Sequence, residues 1–162
     1  MIGSISRRFA AATAALALAL TFWAPAATAA PATALATPVT VHLTVTGPTS
    51  TIYSSNITTT GHNVTTASGG THICDGTNNG HNPTPGATPT AALDDAASAA
   101  GFTWDGVWYP SFDDYFVTTI AGSAGGSTAY WNISVNGVAT PVGGCQFRIK
   151  AGDRVAFTWT EL

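Results

Sequence analysis

The side chains in this sequence that could do chemistry are two neighbouring carboxylates, four histidines, two cysteines and a cluster of aromatic rings. Asp113-Asp114 precedes a strand-like run, and close carboxylates push their pKa values apart, as an acid/base pair requires. Neighbours on a strand point to opposite faces, however, so these two are expected to diverge. Asp75-Gly76-Thr77-Asn78-Asn79-Gly80 sets oxygen-bearing residues at the first, third and fifth positions of a calcium-type loop, with Gly at the sixth. Gly86 stands where the closing Glu would be, so a turn is expected there instead of a cation site. Nothing local joins His42, His62, His72 or His81 to a nucleophile. G-x-S-x-G, H-E-x-x-H, a phosphate loop and a dinucleotide fingerprint are all absent. Binding is therefore expected in preference to turnover.

Two groups of aromatic residues can bind. Trp104, Trp108 and Tyr109 surround Asp105-Gly106 and Pro110 beside a turn, where they form either a recognition surface or a cap over an open sheet end. Trp131 offers a wide apolar face with a polar tip, suited to stacking on a flat ligand. It also shares a strand face with Ile133 and Val135, which favours a place in the core.

These residues have to be positioned by a mostly β scaffold. Val39 to Thr46 alternates apolar and polar residues without a break, as a strand with one buried face does, and Gly47-Pro48 ends it. Ile52 to Thr60 is expected to return as a second strand. Gly61 to Gly86 reads as a long loop rich in Gly, Asn, Thr and His, containing one short strand around His62 to Ala67. A helix is expected over Pro89 to Ala100, with Thr88 as N-cap, Pro89 at the first helical position and Gly101 at the stop. Strands follow at Phe102 to Trp108, Tyr115 to Ile120, Ala129 to Val135, Cys145 to Lys150 and Arg154 to Thr160. Asn136-Gly137 and Gly152-Asp153 are turn signals. The fold class is α+β, a mixed sheet with one helix on one face.

Of the 162 residues 45% are hydrophobic and only 8% charged, and five cations face eight acids. So few cations exclude nucleic acid as a partner. Residues 1–29 read as a signal peptide: Arg7 and Arg8 form the positive region, Phe9 to Trp23 the apolar stretch, and Ala27-Thr28-Ala29 the cleavage site. The apolar stretch is shorter than the roughly 20 residues of a spanning helix, so no membrane span is expected after cleavage. Residues 30–38 read as a flexible spacer and 39–162 as the domain. The mature chain would keep Arg148, Lys150 and Arg154 against the same eight acids, giving 3 − 8 = −5. A secreted, extracellular monomer is expected.

Export into an oxidising compartment, with an even cysteine count, leads to an expected Cys74–Cys145 disulfide. The competing arrangement makes Cys74 a metal ligand with His62, His72 and His81, but the C-x-x-C spacing of a closed zinc site is absent. Asn56-Ile57-Thr58, Asn63-Val64-Thr65 and Asn132-Ile133-Ser134 match the glycosylation acceptor pattern.

A family resemblance rests on a series of short motifs. Phe112-Asp113-Asp114-Tyr115-Phe116-Val117, Ile120-Ala121-Gly122, Tyr130-Trp131, Val135-Asn136-Gly137, Gly143-Gly144 and Ala151-Gly152-Asp153-Arg154-Val155 occur in that order. Residues Val39 to Leu162, most strongly Tyr130 to Trp159, resemble the small C-terminal β-domain of transcobalamin and intrinsic factor, which also appears as a module in exported bacterial proteins. The resemblance implies a β-grasp-like sheet holding one helix. It also implies contact with a corrinoid ligand at the Tyr130-Trp131 pair and at Val142 and Gly143. Unlike those carriers, this chain has no helical barrel for the other face of the corrin, so tight cobalamin carriage by it alone is not implied.

The expected function is a secreted, non-enzymatic module that presents an aromatic sheet edge to a small flat, cobalamin-like ligand or a cell-surface partner. Tyr130, Trp131, Val142, Gly143, Trp108 and Tyr109 form the expected site, with no metal and no resident cofactor. A structural or adhesive surface protein with Thr-rich strands is the second reading, and a hydrolase using one of the aspartates the third.

Overall fold

The structure, a computed structural model, describes residues 36–162. The expected leader and the first residues of the spacer lie outside that range. At the spacer's end the Ala36 carbonyl accepts a hydrogen bond from the Thr60 hydroxyl at 3.2 Å. Among the described residues no helix is long and apolar enough to cross a membrane.

The main sheet is built on strands whose alternation is read directly from the sequence. In β1 (Val39–Thr46) Val41, Leu43 and Val45 are buried, while Thr40, His42 and Thr44 face the other way. β1 pairs antiparallel with β2 (Thr51–Thr59) and parallel with the last strand, β10 (Arg154–Glu161). β10 pairs in turn with β8 (Ala129–Val135), which turns back at Asn136-Gly137 into the two-residue β9 (Val138–Ala139). The order β2-β1-β10-β8-β9, with first and last strands parallel at the centre, is the β-grasp-like mixed sheet that was expected.

One helix, α1 (Pro89–Ala100), packs on this sheet with ends as the sequence indicates. Thr88 accepts a hydrogen bond from the Ala91 N–H at 3.2 Å, Pro89 opens the first turn, and Gly101 closes the last with φ 76°. Ala91, Ala92, Leu93, Ala96 and Ala97 are buried. Side chains so short let the helix approach the layer of Leu43, Val45, Val155 and Phe157 closely.

Two expectations need correction. Residues 61–86 hold a full hairpin, β3 (His62–Thr66) and β4 (Gly70–Cys74), followed by a 3-10 turn over Asn78–Gly80. β4 has no apolar alternation because most of it is exposed. Its hairpin is held from outside: the Tyr115 hydroxyl lies 2.6 Å from the Gly70 carbonyl and 2.9 Å from that of Val64, and the Thr66 hydroxyl donates to the Gly106 carbonyl at 2.7 Å. The second correction concerns Cys145 to Lys150, which form no strand. The Gln146 and Phe147 N–H groups both turn back to the Gly143 carbonyl, and the Ile149 N–H bonds to the Ala87 carbonyl. The apolar spacing of Cys145, Phe147 and Ile149 follows from a turn that dips into the protein three times.

A second, smaller sheet consists of β5 (Trp104–Tyr109), β6 (Asp114–Ile120) and β7 (Ser123–Ala124). The expected Cys74–Cys145 disulfide is present and joins β4 to the turn after Gly143-Gly144, across 71 residues of chain. Such a bridge belongs to an oxidising compartment. On the chain-entropy account a loop of this size stabilises the fold by about 4 kcal/mol. Urea unfolding of the Cys74→Ala/Cys145→Ala variant should therefore show a midpoint well below that of the oxidised protein. Coincident transitions would contradict a structural role for the bridge.

Candidate binding cleft

Between the β5–β6 hairpin and the segment that follows β9 lies an open cleft of about 650 Å³. One wall is aromatic: Tyr109 at the end of β5, Phe112 in the turn and Phe116 on β6 all line it. They are 46%, 65% and 49% exposed, so large apolar rings are held in solvent with no core to fill. Strand register explains why they share a face. Val107 pairs with Phe116 and Tyr109 with Asp114, so Tyr109 and Phe116 are diagonal neighbours.

The opposite wall is Thr140 to Gly143, and Asn79 and His81 close one end. Three ties fix these parts relative to one another. The Thr140 N–H bonds to the Ile133 carbonyl at 3.0 Å. Asn78 donates from its side chain to the Asp113 carbonyl at 2.8 Å, and the Asn79 N–H reaches the Asp113 carboxylate at 2.9 Å. The Gln146 side-chain amide donates to the Phe112 carbonyl.

Asp114 forms the floor and is only 4% exposed. One of its oxygens accepts from the Tyr115 N–H at 2.8 Å, and both accept from the Cys145 N–H, at 3.1 and 3.0 Å. Burial pushes the Asp114 pKa up to about 7, against the opposing pull of the Cys145, Tyr115 and Gln146 N–H groups. Gly143 is required beside it, because a β-carbon there would meet the carboxylate at 2.1 Å. Gly144 is required for a similar reason, since its β-carbon would lie 2.2 Å from the Thr90 hydroxyl. The neighbouring Asp113 takes φ 48°, a left-handed conformation that Asp tolerates. Its carboxylate thereby turns to the Asn79 N–H, so the two acids diverge through this turn and not by strand alternation, since Asp113 precedes β6.

The expected site residues fall into two groups. Tyr109, Val142 and Gly143 line the cleft. Trp108 sits behind it, stacked on His72 at 3.8 Å and edge-on to Tyr115 at 4.9 Å, and Tyr115 lines the cleft. Trp131 takes the core place that its strand face favours: it is 3% exposed, donates to the Ser123 carbonyl at 3.0 Å and meets Trp159 edge-on. Tyr130 lies on the other face of the same strand, opposite Thr160. Phe112 and Phe116 were not anticipated as site residues. The signal was present in the pair of aromatics that brackets Asp113-Asp114-Tyr115, too close to the turn for both to reach the core.

Asp75, Cys74 and His62 are each committed to local partners. Asp75 accepts from the Thr77 N–H at 2.9 Å and its hydroxyl at 2.5 Å, the turn that was expected in place of a cation site. Cys74 is committed to the disulfide, and the three histidines once grouped with it do not converge. His62 bonds to the Asp94 carboxylate at 3.4 Å, which raises its pKa despite partial burial.

With this geometry in view, residues 102–161, from the start of β5 to the end of β10, match the model of a domain family described as a domain of unknown function, DUF4430. Both cleft walls and the Asp114 floor lie within the match. No curated protein matches the chain.

The buried carboxyl makes stability fall as pH rises. An unfolded Asp ionises near pH 4, whereas Asp114 holds its proton up to about 7. Its contribution is thus complete below about pH 4 and lost as pH climbs to its folded value. His62, raised by Asp94, acts in the same direction near neutrality. Between pH 5 and 8 the unfolding free energy should drop by about 3 kcal/mol through Asp114 alone. Urea midpoints across that range should flatten in Asp114→Asn, with any residual slope removed by His62→Gln. A slope unchanged by Asp114→Asn would contradict the assignment.

Proposed function

We propose that this protein is an exported, non-enzymatic binding module whose ligand enters between the Tyr109–Phe112–Phe116 wall and the Thr140–Gly143 segment. The observation that carries this reading is the set of three exposed rings lining one cleft of about 650 Å³, within the range of small-molecule sites. A flat molecule can place one face on a single ring of that wall, with Pro141 and Val142 across the cleft. The likeness to the transcobalamin C-terminal β-domain supports a corrinoid or similar flat ligand in so far as Val142 and Gly143, two of the positions it implicates, form a cleft wall, whereas the Tyr130-Trp131 pair lies outside the cleft. Export is supported by the signal-like residues 1–29 together with the disulfide.

A second reading, an adhesive surface module, is favoured by the polar face of β1 and β2. There Thr40 and Thr58 share a hydrogen bond at 2.8 Å, and His42 reaches Asn56 at 3.1 Å and Ser54 at 3.2 Å.

The first reading is tested by titrating the oxidised domain with cobalamin and a panel of flat uncharged aromatics, reading bound ligand by equilibrium dialysis and tryptophan emission. Binding is expected with one or more of them, with emission from Trp108 altered through Tyr115. Val142→Asp, which sets a charge on an apolar wall, should weaken it at least about tenfold. Saturable binding that survives Val142→Asp and Phe116→Ala unchanged would place the ligand elsewhere.

A further inference from the structure

The three rings of the cleft do not make a flat platform. Tyr109 stands at 63° to Phe112 and at 90° to Phe116, with centroids 6.4 and 6.5 Å apart. Rings so disposed turn corners. Aromatic faces carry negative potential, and a cation within about 6 Å of a ring centroid is attracted to it. These separations let one cation lie that close to Tyr109 and to either phenylalanine at once.

The charges around the cleft agree. Its lining includes Asp114 and no lysine or arginine. The described cations, Arg148, Lys150 and Arg154, are all confined to a seven-residue stretch that contributes nothing to the lining. An anion entering here would meet a carboxyl and, apart from the His81 imidazole at one end, no side chain able to carry positive charge.

The hydrogen-bonding capacity narrows the class further. Both Asp114 oxygens already accept backbone N–H groups, and Phe112, Phe116, Pro141 and Val142 offer apolar surface, so the side-chain acceptors left to a ligand are those of Asn79, His81, Thr140, Gln146 and the Tyr109 hydroxyl. A primary ammonium set against the phenylalanines would need three acceptors, which only those polar residues supply. A fully alkylated ammonium has no donor to satisfy and presents methyl groups to the ring faces.

We propose that the cleft selects a soluble small molecule bearing a quaternary ammonium group, held in the corner between Tyr109 and Phe112 or Phe116, with Asp114, once ionised, as its counter-charge. The assignment rests on the cleft being the binding site and adds the charge of the occupant.

Choline and 3,3-dimethylbutan-1-ol, its uncharged analogue with carbon in place of nitrogen, separate charge from shape. By calorimetry on the oxidised domain at about pH 8.5, where Asp114 is ionised, choline should bind about tenfold more tightly than the alcohol. Phe112→Leu and Phe116→Leu keep apolar bulk at exposed positions, and each should weaken choline about threefold to tenfold while leaving the alcohol nearly unchanged. Asp114→Asn, whose retained oxygen still accepts from Tyr115 and Cys145, should weaken choline alone, with thermal unfolding confirming that each variant is folded. Equal affinity for the two compounds overturns the charge assignment, as does binding of flat uncharged compounds without choline. In both cases the cleft remains a binding site, whereas binding of no compound by this face defeats both readings. Capture by phosphatidylcholine vesicles without binding of free choline overturns the proposal of a soluble ligand.

Discussion

The Asp114 carboxyl, buried against the Cys145 N–H, is the interaction on which the cleft depends. It joins β6, which carries one aromatic wall, to the turn that ends the other wall. The disulfide locks the same residue, Cys145, to β4. A buried carboxyl is expensive to ionise, and here three N–H groups offset that cost without cancelling it. The gap left at Gly143 follows, because only a residue without a side chain lets the carboxyl lie so close to the backbone.

The rest of the fold serves that junction. The main sheet and helix supply most of the core, from Leu43 through Phe157 to Leu93, and Val117 and Ile120 anchor β6 in it. A smaller cluster of Val64, Cys74, Tyr115 and Cys145 seals the join between the β3–β4 hairpin and β6. Tyr115 has a double role there: its hydroxyl holds the hairpin through two carbonyls while its ring backs the cleft. Because the aromatic wall contributes nothing to either cluster, its exposed rings are free to serve a partner.

The sequence made the scaffold legible where one face of an element is buried. Alternation in β1, β8 and β10 and the Thr88, Pro89 and Gly101 caps of α1 each have one local physical meaning. β4 was illegible because its stability comes from Tyr115 and the disulfide, more than forty residues away in the chain in the first case. The Cys145–Ile149 stretch misled for a related reason, since a turn packed around a cystine can bury residues at strand spacing. Of the candidate cleft's lining, Tyr109, Val142 and Gly143 are residues that the sequence reading names, while Phe116 joins them only through the hairpin register and Phe112 through the turn. Trp131 shows the opposite case, a residue whose strand neighbours already pointed to the core in which it lies.

The account stands or falls on where a ligand makes contact. An amide and aromatic chemical-shift map of the isotopically labelled, oxidised domain, recorded across a choline and cobalamin titration, addresses this most directly. Saturable shifts should concentrate at Tyr109, Phe112, Phe116, Val142 and Gly143 and extend to the Cys145 amide through Asp114. Shifts confined to the Thr40, His42 and Asn56 face of the main sheet, with the cleft rings unmoved, would contradict it.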